Sequence, residues 1–475
     1  MSDLLALLLL LLAVTVVGLL VVRACGLPLG RGWTPTALSL AVPVGLLITG
    51  GVATLTAALR LGAGVVLVVP VSAAIALGLA LRRRRCAPAP FGCRPMTQRG
   101  LARALELGTL AAFALVALRT MRVLVVTPLA DWDGWAIWGL HARALDEKGD
   151  LWAPVFRDPV YLEHHSEYPV LTPALQALAT DAIGQFDTEL LHVVPGVFLI
   201  AGSLAIWGVL RTTIPPWFAA VVALAVLGSE PLLANATANY ADATLALVVA
   251  LGVLLLCVWL EWPSSSGLAL GSVFLGSAGL IKAEGLVFTV ASLVALVVAL
   301  HGTGRVASRQ FLSACSWMCA PALAWNVFTA VRGPRTESYD FGALVDPGYL
   351  AEEAFRVGRA IDRMIVGLTL DWGFSVVLLV VVGALAVAVG AYRATVFLAV
   401  WLLGSWTGLV LAYLASNLEI DAHLATSARR VVFGAGLTIL VVAPLLAAQA
   451  WARIHALDPV PAATARRRAA PPGTA

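Results

Sequence analysis

Charge is what this sequence lacks most. Only 12% of its 475 residues are Asp, Glu, Lys or Arg, whereas 60% are hydrophobic, and mean hydropathy is +0.92. Soluble domains carry about a quarter charged residues, so an ordinary water-soluble fold is excluded. Cysteine is scarce too: there are six, and no CxxC pair, so the usual zinc spacing is missing. Cys25, Cys257, Cys315 and Cys319 lie in or beside apolar runs, and Cys86 and Cys93 flank a basic, Pro-containing loop. Free thiols, a metal or a disulfide stay open at that loop. The apolar runs also lack the two-residue alternation of barrel strands. In lipid only helices and closed barrels satisfy their backbone polar groups, so these runs are helices. The first run, Leu4 to Val22, is preceded by Asp3, has no basic residue before Arg23 and lacks a small-residue cleavage site. It reads as a retained span, not a signal peptide.

What is present is a repeated transmembrane pattern. Spans are expected near 4–22, 36–58, 63–81, 104–128, 190–210, 216–229, 242–260, 268–281, 286–300, 309–331, 374–392, 394–415 and 429–450, thirteen in all. The segment 171–184 is apolar but too short, and is expected as a helix on, or dipping into, the outer face. One set of loops holds Arg23, Arg31, Arg82 to Arg85, Arg94, Arg99, Arg103, Arg211, Arg305, Arg309, Arg393 and Arg466 to Arg468, with almost no acid beyond Glu106, Glu261 and Asp458. The positive-inside rule makes that face cytoplasmic. The basic residues therefore report topology, and nothing in them points to nucleic acid. The opposite face carries most carboxylates and two long loops, 129–170 and 332–373. Thirteen crossings put the N-terminus outside and the C-terminus in the cytoplasm, in what is expected to be the plasma membrane. The tail after Pro459 is rich in Ala, Pro and Arg and is expected to be disordered.

The outer face concentrates the chemistry. Asp131-Trp132-Asp133 stands where a span emerges, followed by Trp135, Trp138, His141 and Arg143, then His165-Ser166-Glu167-Tyr168-Pro169. A carboxylate at a wet mouth with apolar walls can become a useful base; a loop carboxylate can equally be just solvated. Trp132, Trp135, Trp138 and Trp152 suit a membrane-interface belt or stacking on a sugar. Asn235, Asn239, Tyr240 and Asp242 precede a later span, and Lys282 and Glu284 interrupt an apolar stretch. Charges at that depth mark function or a buried pair. His423, Ser427, Arg429 and Arg430 open the last span, where two guanidinium groups could hold a phosphate or cap the helix. In loop 332–373, Glu352, Arg356 and Arg359 share one helical face, and their charges could meet lipid phosphate or pair among themselves. Acids at one mouth and cations at two others form a site for an anionic, phosphate-bearing substrate.

In chain order, Trp132-Asp133, Trp135-Ala136-Ile137-Trp138, Glu167-Tyr168-Pro169-Val170-Leu171-Thr172-Pro173, Tyr240-Ala241-Asp242 and Lys282-Ala283-Glu284-Gly285 resemble bacterial polytopic glycosyltransferases of the C-type fold. The likeness is to enzymes close to the protein-mannosyltransferase and aminoarabinose-transferase group, and it covers roughly 104–430. Two departures are Ala283, where related chains often have Asn, and His165-Ser166-Glu167 in place of a His-Pro-Asp pattern. The resemblance implies an all-α membrane fold with a C-type core and juxtamembrane helices on the outer face. It implies inverting transfer of a sugar from a polyprenyl-phosphate carrier to a lipid, glycan or protein acceptor outside the cytoplasm. It makes Asp133 the expected base, with Asp131 second. Asp242 would position acceptor or sugar, and Lys282 with Arg429 or Arg430 would hold the carrier phosphate. Tyr240, Glu284, His165, Glu167 and Tyr168 complete the expected binding set. No cofactor is expected, although the Asp131–Asp133 pair could take a divalent ion. The chain divides into a three-span extension with its basic loop (1–103), the catalytic core (104–450, outer loops 129–189 and 332–373) and a basic tail (451–475). The main alternative is a transporter or flippase for a lipid-linked or anionic substrate.

Overall fold

The computed structural model of the protein describes residues 2–27, 34–83, 99–263, 265–301, 303, 308–333 and 339–457. Cys86, Cys93, Arg31, Arg84, Arg85, Arg94, Arg305 and Arg335, with the tail from 458 onward, lie outside the described residues. The described chain is helical throughout and contains no strand; one isolated antiparallel bridge pairs Tyr339 with Ser416. In order the helices are α1 (Ser2–Ala24), α2 (Thr34–Ala58), α3 (Val65–Arg83), α4 (Leu101–Val126), α5 (Leu140–Lys148), α6 (Leu171–Ile183), α7 (Val193–Leu210), α8 (Pro216–Leu227) and α9 (Glu230–Thr237). They continue with α10 (Ala241–Glu261), α11 (Ser265–Ile281), α12 (Glu284–Ala299), α13 (Arg309–Arg332), α14 (Pro347–Glu352), α15 (Ala354–Ala388), α16 (Arg393–Leu414), α17 (Ile420–Val431) and α18 (Phe433–Leu457).

This is an all-α membrane protein. Among the described residues nine helical segments are long and apolar enough to cross a bilayer, and the pair α8–α9, bent by 45°, makes a tenth. The remaining expected spans coincide with shorter apolar helices, Val65–Leu81, Ser266–Ile281 and Glu284–Ala299. At the centre stands α10, buried from Ala241 to Leu260 on every side. A helix apolar all round belongs in a core rather than at a surface. It is enclosed by α7, α11, α16 and α18. The outer helices turn large apolar side chains outward: Leu118 in α4, Val331 in α13 and Phe374 in α15 are 70%, 72% and 81% exposed. Water would not tolerate apolar surface on this scale, and lipid does.

Two sequence expectations change in the fold and two are sharpened. The helix α6 dips into the bundle, the second of the two placements expected for it. Its residues Leu171 to Thr180 are all buried, against α1, α2 and α5, because neighbouring helices cover a segment too short to span by itself. The loop expected over 332–373 becomes helical at Ala354, where α15 begins, so Arg356 and Arg359 start a long helix instead of decorating a separate one. The tail begins later than 451, since α18 runs to Leu457. The three-span extension is packed on the rest of the chain: α2 lies against α6 and α7, and the Thr36 hydroxyl donates to the Gly208 carbonyl over 2.7 Å.

Chain direction sorts the charges. Arg23, Arg103, Arg211, Arg309 and Arg393 stand at the ends of α1, α4, α7, α13 and α16 that share one side of the bundle, with Glu261, which accepts from the Ala394 N–H over 3.2 Å. The opposite side gathers the end of α4, the start of α10, the α11–α12 turn and helix α17.

Candidate functional site

Asp133 follows the end of α4, and the chain then winds through a π-helical turn, Gly134–Gly139. Such turns recur at functional sites because the extra residue re-aims the side chains around them. Here the local cause is close packing: a Cβ on Gly134 would stand 2.2 Å from the carbonyl oxygen of Ala238. Only glycine lets the α9–α10 junction approach so closely. Asn239 sits in that junction with φ 56°, a left-handed conformation that asparagine tolerates. Its amide donates to the Gly134 carbonyl over 3.1 Å and accepts from Gln176 of α6 over 2.6 Å. Asn235 accepts from the Ala243 N–H over 2.8 Å, satisfying one of the free donors at the start of α10. One amide network thus fixes the loop carrying Asp133 against the helix end carrying Asp242.

The α11–α12 turn brings in Lys282. The turn is tight because Gly285 has no Cβ, which would meet the Ala278 carbonyl oxygen at 2.1 Å. Lys282 Nζ lies 2.6 Å from Asp242 Oδ1 and 2.9 Å from Glu284 Oε1. Arg430, from α17, closes the set: its Nη1 is 2.8 Å from Asp133 Oδ2 and 3.9 Å from Asp242 Oδ2. Its guanidinium also stands 4.4 Å over the Tyr240 ring. The result is a continuous chain, Asp133–Arg430–Asp242–Lys282–Glu284, of three carboxylates and two cations. It runs from damp to dry. The Asp133 side chain keeps 28% of its exposure, while residues Lys282 and Asp242 keep 7% and 4%. Buried charge is tolerable only when paired in this way.

A second wall comes from the 165–168 turn. His165 has φ 51°, stacks on Tyr168 with ring centroids 4.4 Å apart, and places Nδ1 3.6 Å from Glu167 Oε1. Helix α13 holds this turn: the Trp325 indole donates to the Glu167 carbonyl over 3.0 Å, and Arg332 donates to the Ser166 carbonyl. Burial pushes the Tyr168 phenol well above the usual tyrosine range, with Tyr339 and the carboxylates of Glu284, Glu167 and Asp133 acting the same way. Burial and then Glu284 do the same to Tyr339. Both phenols therefore stay neutral hydrogen-bond groups at the edge of the ion-pair chain. Tyr339 Oη lies 3.4 Å from His423 Nε2, His423 Nδ1 lies 3.0 Å from Ser416 Oγ, and Tyr413 Oη lies 2.8 Å from Ser427 Oγ.

Of the residues expected from sequence, Asp133, Tyr240, Asp242, Lys282, Glu284 and Arg430 converge. His165, Glu167 and Tyr168 form the adjoining wall. Asp131 is exposed and stands outside the chain of ion pairs. Arg429 is also elsewhere: its Nε and Nη2 grip both oxygens of Asp371 in α15, at 2.8 and 2.6 Å. Consecutive residues on a helix point about 100° apart, so only one of the two arginines can face the cluster. The tryptophans divide as well. Trp132 and Trp135 are about half exposed, as interface residues are, whereas Trp138 is buried with its ring 5.8 Å from Tyr168. Sequence reading missed Gln176, Tyr339 and Tyr413. Gln176 carried a signal, as a lone amide inside an apolar helix.

Among the described residues no group of three or more His, Cys, Asp or Glu side chains converges to hold a metal ion. The Asp133 carboxylate is taken by Arg430 instead of pairing with Asp131. No family model matches the chain, and neither the curated proteins nor the solved structures contain a match.

Proposed function

We propose that this protein is a glycosyltransferase that moves a sugar from a polyprenyl-phosphate carrier to an acceptor hydroxyl, at the membrane face opposite the arginine-rich helix ends. The observation that carries the reading is the single ion-pair chain joining Asp133, Arg430, Asp242 and Lys282. It supplies a partly exposed carboxylate and two cations within one cluster, which is the equipment such a transfer needs. The positive-inside rule assigns the arginine-bearing side to the cytoplasm, and the three shorter apolar helices are read as crossings too, giving thirteen. The membrane is then the plasma membrane and the site is extracytoplasmic.

In the reaction, the acceptor oxygen attacks the anomeric carbon of the donor while the bond from that carbon to the carrier phosphate breaks. The hydroxyl proton goes to Asp133, and the phosphate leaves with the electron pair. A positioned base of this kind contributes about 10²–10⁴-fold. Arg430 and Lys282 stabilise the charge that grows on the phosphate. Arg430 is shared between Asp133 and Asp242. An entering carrier phosphate competes for its guanidinium, and so frees Asp133 to act as a base only when donor is bound. One displacement gives inversion.

The test is transfer of radiolabelled sugar from a panel of polyprenyl-phosphate donors in proteoliposomes, comparing wild type with Asp133→Asn. Turnover by wild type with at least a hundredfold loss in the variant supports the proposal. Full activity of the variant removes Asp133 from the role of base. One observation favours a transporter of lipid-linked substrates: two short helices break at a buried lysine, a feature of transport sites. Flipping of a fluorescent polyprenyl-phosphate sugar without any transfer would select that reading.

A further inference from the structure

Away from the ion-pair chain, on the same side of the bundle, cations gather around a single indole. Trp152 donates its Nε1–H to the carbonyl of Ala58 over 2.8 Å, and so is fixed against the end of α2. Arg60, just beyond that end, places its guanidinium 4.6 Å from the Trp152 ring centre, and the Arg157 guanidinium is 5.5 Å from it. Two adjoining clefts share this tryptophan. The first, of about 370 Å³, is lined by Arg60 and Lys148; the second, of about 410 Å³, by Arg157 and Arg332. Cavities of this size accept small ligands. Two carboxylates also line the clefts, but each is turned to its own backbone: Asp150 accepts from the Trp152 N–H over 2.7 Å and Asp158 from the Val160 N–H over 3.0 Å. Among the described residues, Arg60, Lys148 and Arg157 make no ion pair within 4 Å.

The independent observation is Arg332. It is only 3% exposed, and its Nη1 has no hydrogen-bond partner. The rings of Phe156, Trp325 and Phe328 stand 5.4, 5.8 and 5.4 Å from that guanidinium and stabilise it in its buried place, so it sets a fixed positive charge at the wall of the second cleft. Planar guanidinium forks match the oxygens of a phosphate bidentately. Arg60 and Arg332 both sit where helices α2 and α13 end, the level at which lipid headgroups meet a membrane protein. We infer that the two clefts around Trp152 form a binding site for a phosphate-bearing anion, held by Arg157 and Arg332 in one cleft and by Arg60 and Lys148 in the other. Arg60, Lys148 and Arg157 stand apart from the transfer chemistry; Arg332 alone touches both regions, through the Ser166 carbonyl.

Two probes test this on the full chain. Native mass spectrometry after reconstitution in phosphatidylcholine vesicles containing phosphatidylglycerol counts retained anionic lipid, and thermal unfolding in detergent reads binding of glycerol 3-phosphate. The variant is Arg60→Gln with Arg157→Gln, both exposed and therefore compatible with folding. Binding is expected to weaken roughly tenfold for each guanidinium removed, and Arg332→Gln should weaken it at least as much. Retention of phosphatidylglycerol without a response to glycerol 3-phosphate identifies a lipid headgroup; a response to glycerol 3-phosphate alone identifies a soluble phosphate ester. If wild type binds neither probe, or the double variant binds as well as wild type, the inference fails.

Discussion

Arg429 and Arg430 are neighbours in sequence, and the fold gives them different work. Arg429 points to the outer side of α17, where its side chain remains 57% exposed while it forks onto Asp371. Arg430 points inward with only 20% of its side chain exposed, and divides its guanidinium among Asp133, Asp242 and the ring of Tyr240. The first contact joins two helices, α17 to α15, with matched charges. The second leaves one cation shared by two carboxylates, an arrangement with no unique partner. A matched pair resists exchange, whereas a shared cation can be drawn to a third anion. That difference separates a fastener from a binding group, and it can be tested.

The largest effect is expected deepest in the chain. Lys282→Met leaves Asp242 buried with the 3.9 Å contact to Arg430 as its remaining ion pair. Removing one member of a buried pair costs about 3 kcal/mol or more. Thermal unfolding in detergent should show a large drop, partly recovered when Asp242→Asn is added. No recovery in the double variant would mean that Lys282 acts through packing and not through charge.

Next comes the comparison of the two arginines themselves. Arg430→Gln should lower sugar transfer about 10²-fold, the usual consequence of deleting a group that meets developing charge. Arg429→Gln should leave turnover within a few-fold and instead cost about 1 kcal/mol of stability, since the exposed end of that pair is screened by solvent. Steady-state turnover and unfolding measured side by side check both. Equal losses of activity in the two variants would erase the distinction drawn here.

Parts of this arrangement were legible from residues alone, and the reasons differ. The helices follow from hydropathy, because no other structure buries so many apolar residues in lipid. Lys282 and Glu284 stood out because charge inside an apolar stretch is costly. The convergence of Asp133 with Asp242 was readable only as shared sidedness. The contact that enforces it, Gly134 against Ala238 with Asn239 as cross-link, depends on a close approach that spacing does not encode. Which arginine of the pair faces inward depends on how α17 is rotated against α15, a tertiary fact set partly where Gly367 lets the two helices touch. The burial of α6 was hidden for a related reason: its 13 residues are too few to span, and only its neighbours make it internal.

An effect that vanishes near pH 7 contrasts this charged chain with a buried group kept neutral. His141, in α5, is fully buried against Phe156 with 5.1 Å between ring centres, and neither ring nitrogen has a hydrogen-bond partner. Burial first, and then the nearby charge of Arg332, lower its pKa to about 3. An unfolded histidine titrates near 6.5. Between about pH 6.5 and 3, the unfolded chain therefore binds a proton that the folded protein refuses, and stability falls as pH falls through that window. His141→Leu removes this proton uptake. The variant should match wild type closely near pH 7 and exceed it by roughly 2 kcal/mol near pH 5, read as a gap in unfolding temperature that widens on acidification. A gap that stays constant with pH would assign the effect to packing against Phe156. A widening gap would show that the fold keeps His141 neutral by desolvation, whereas it compensates the buried Asp242 by pairing.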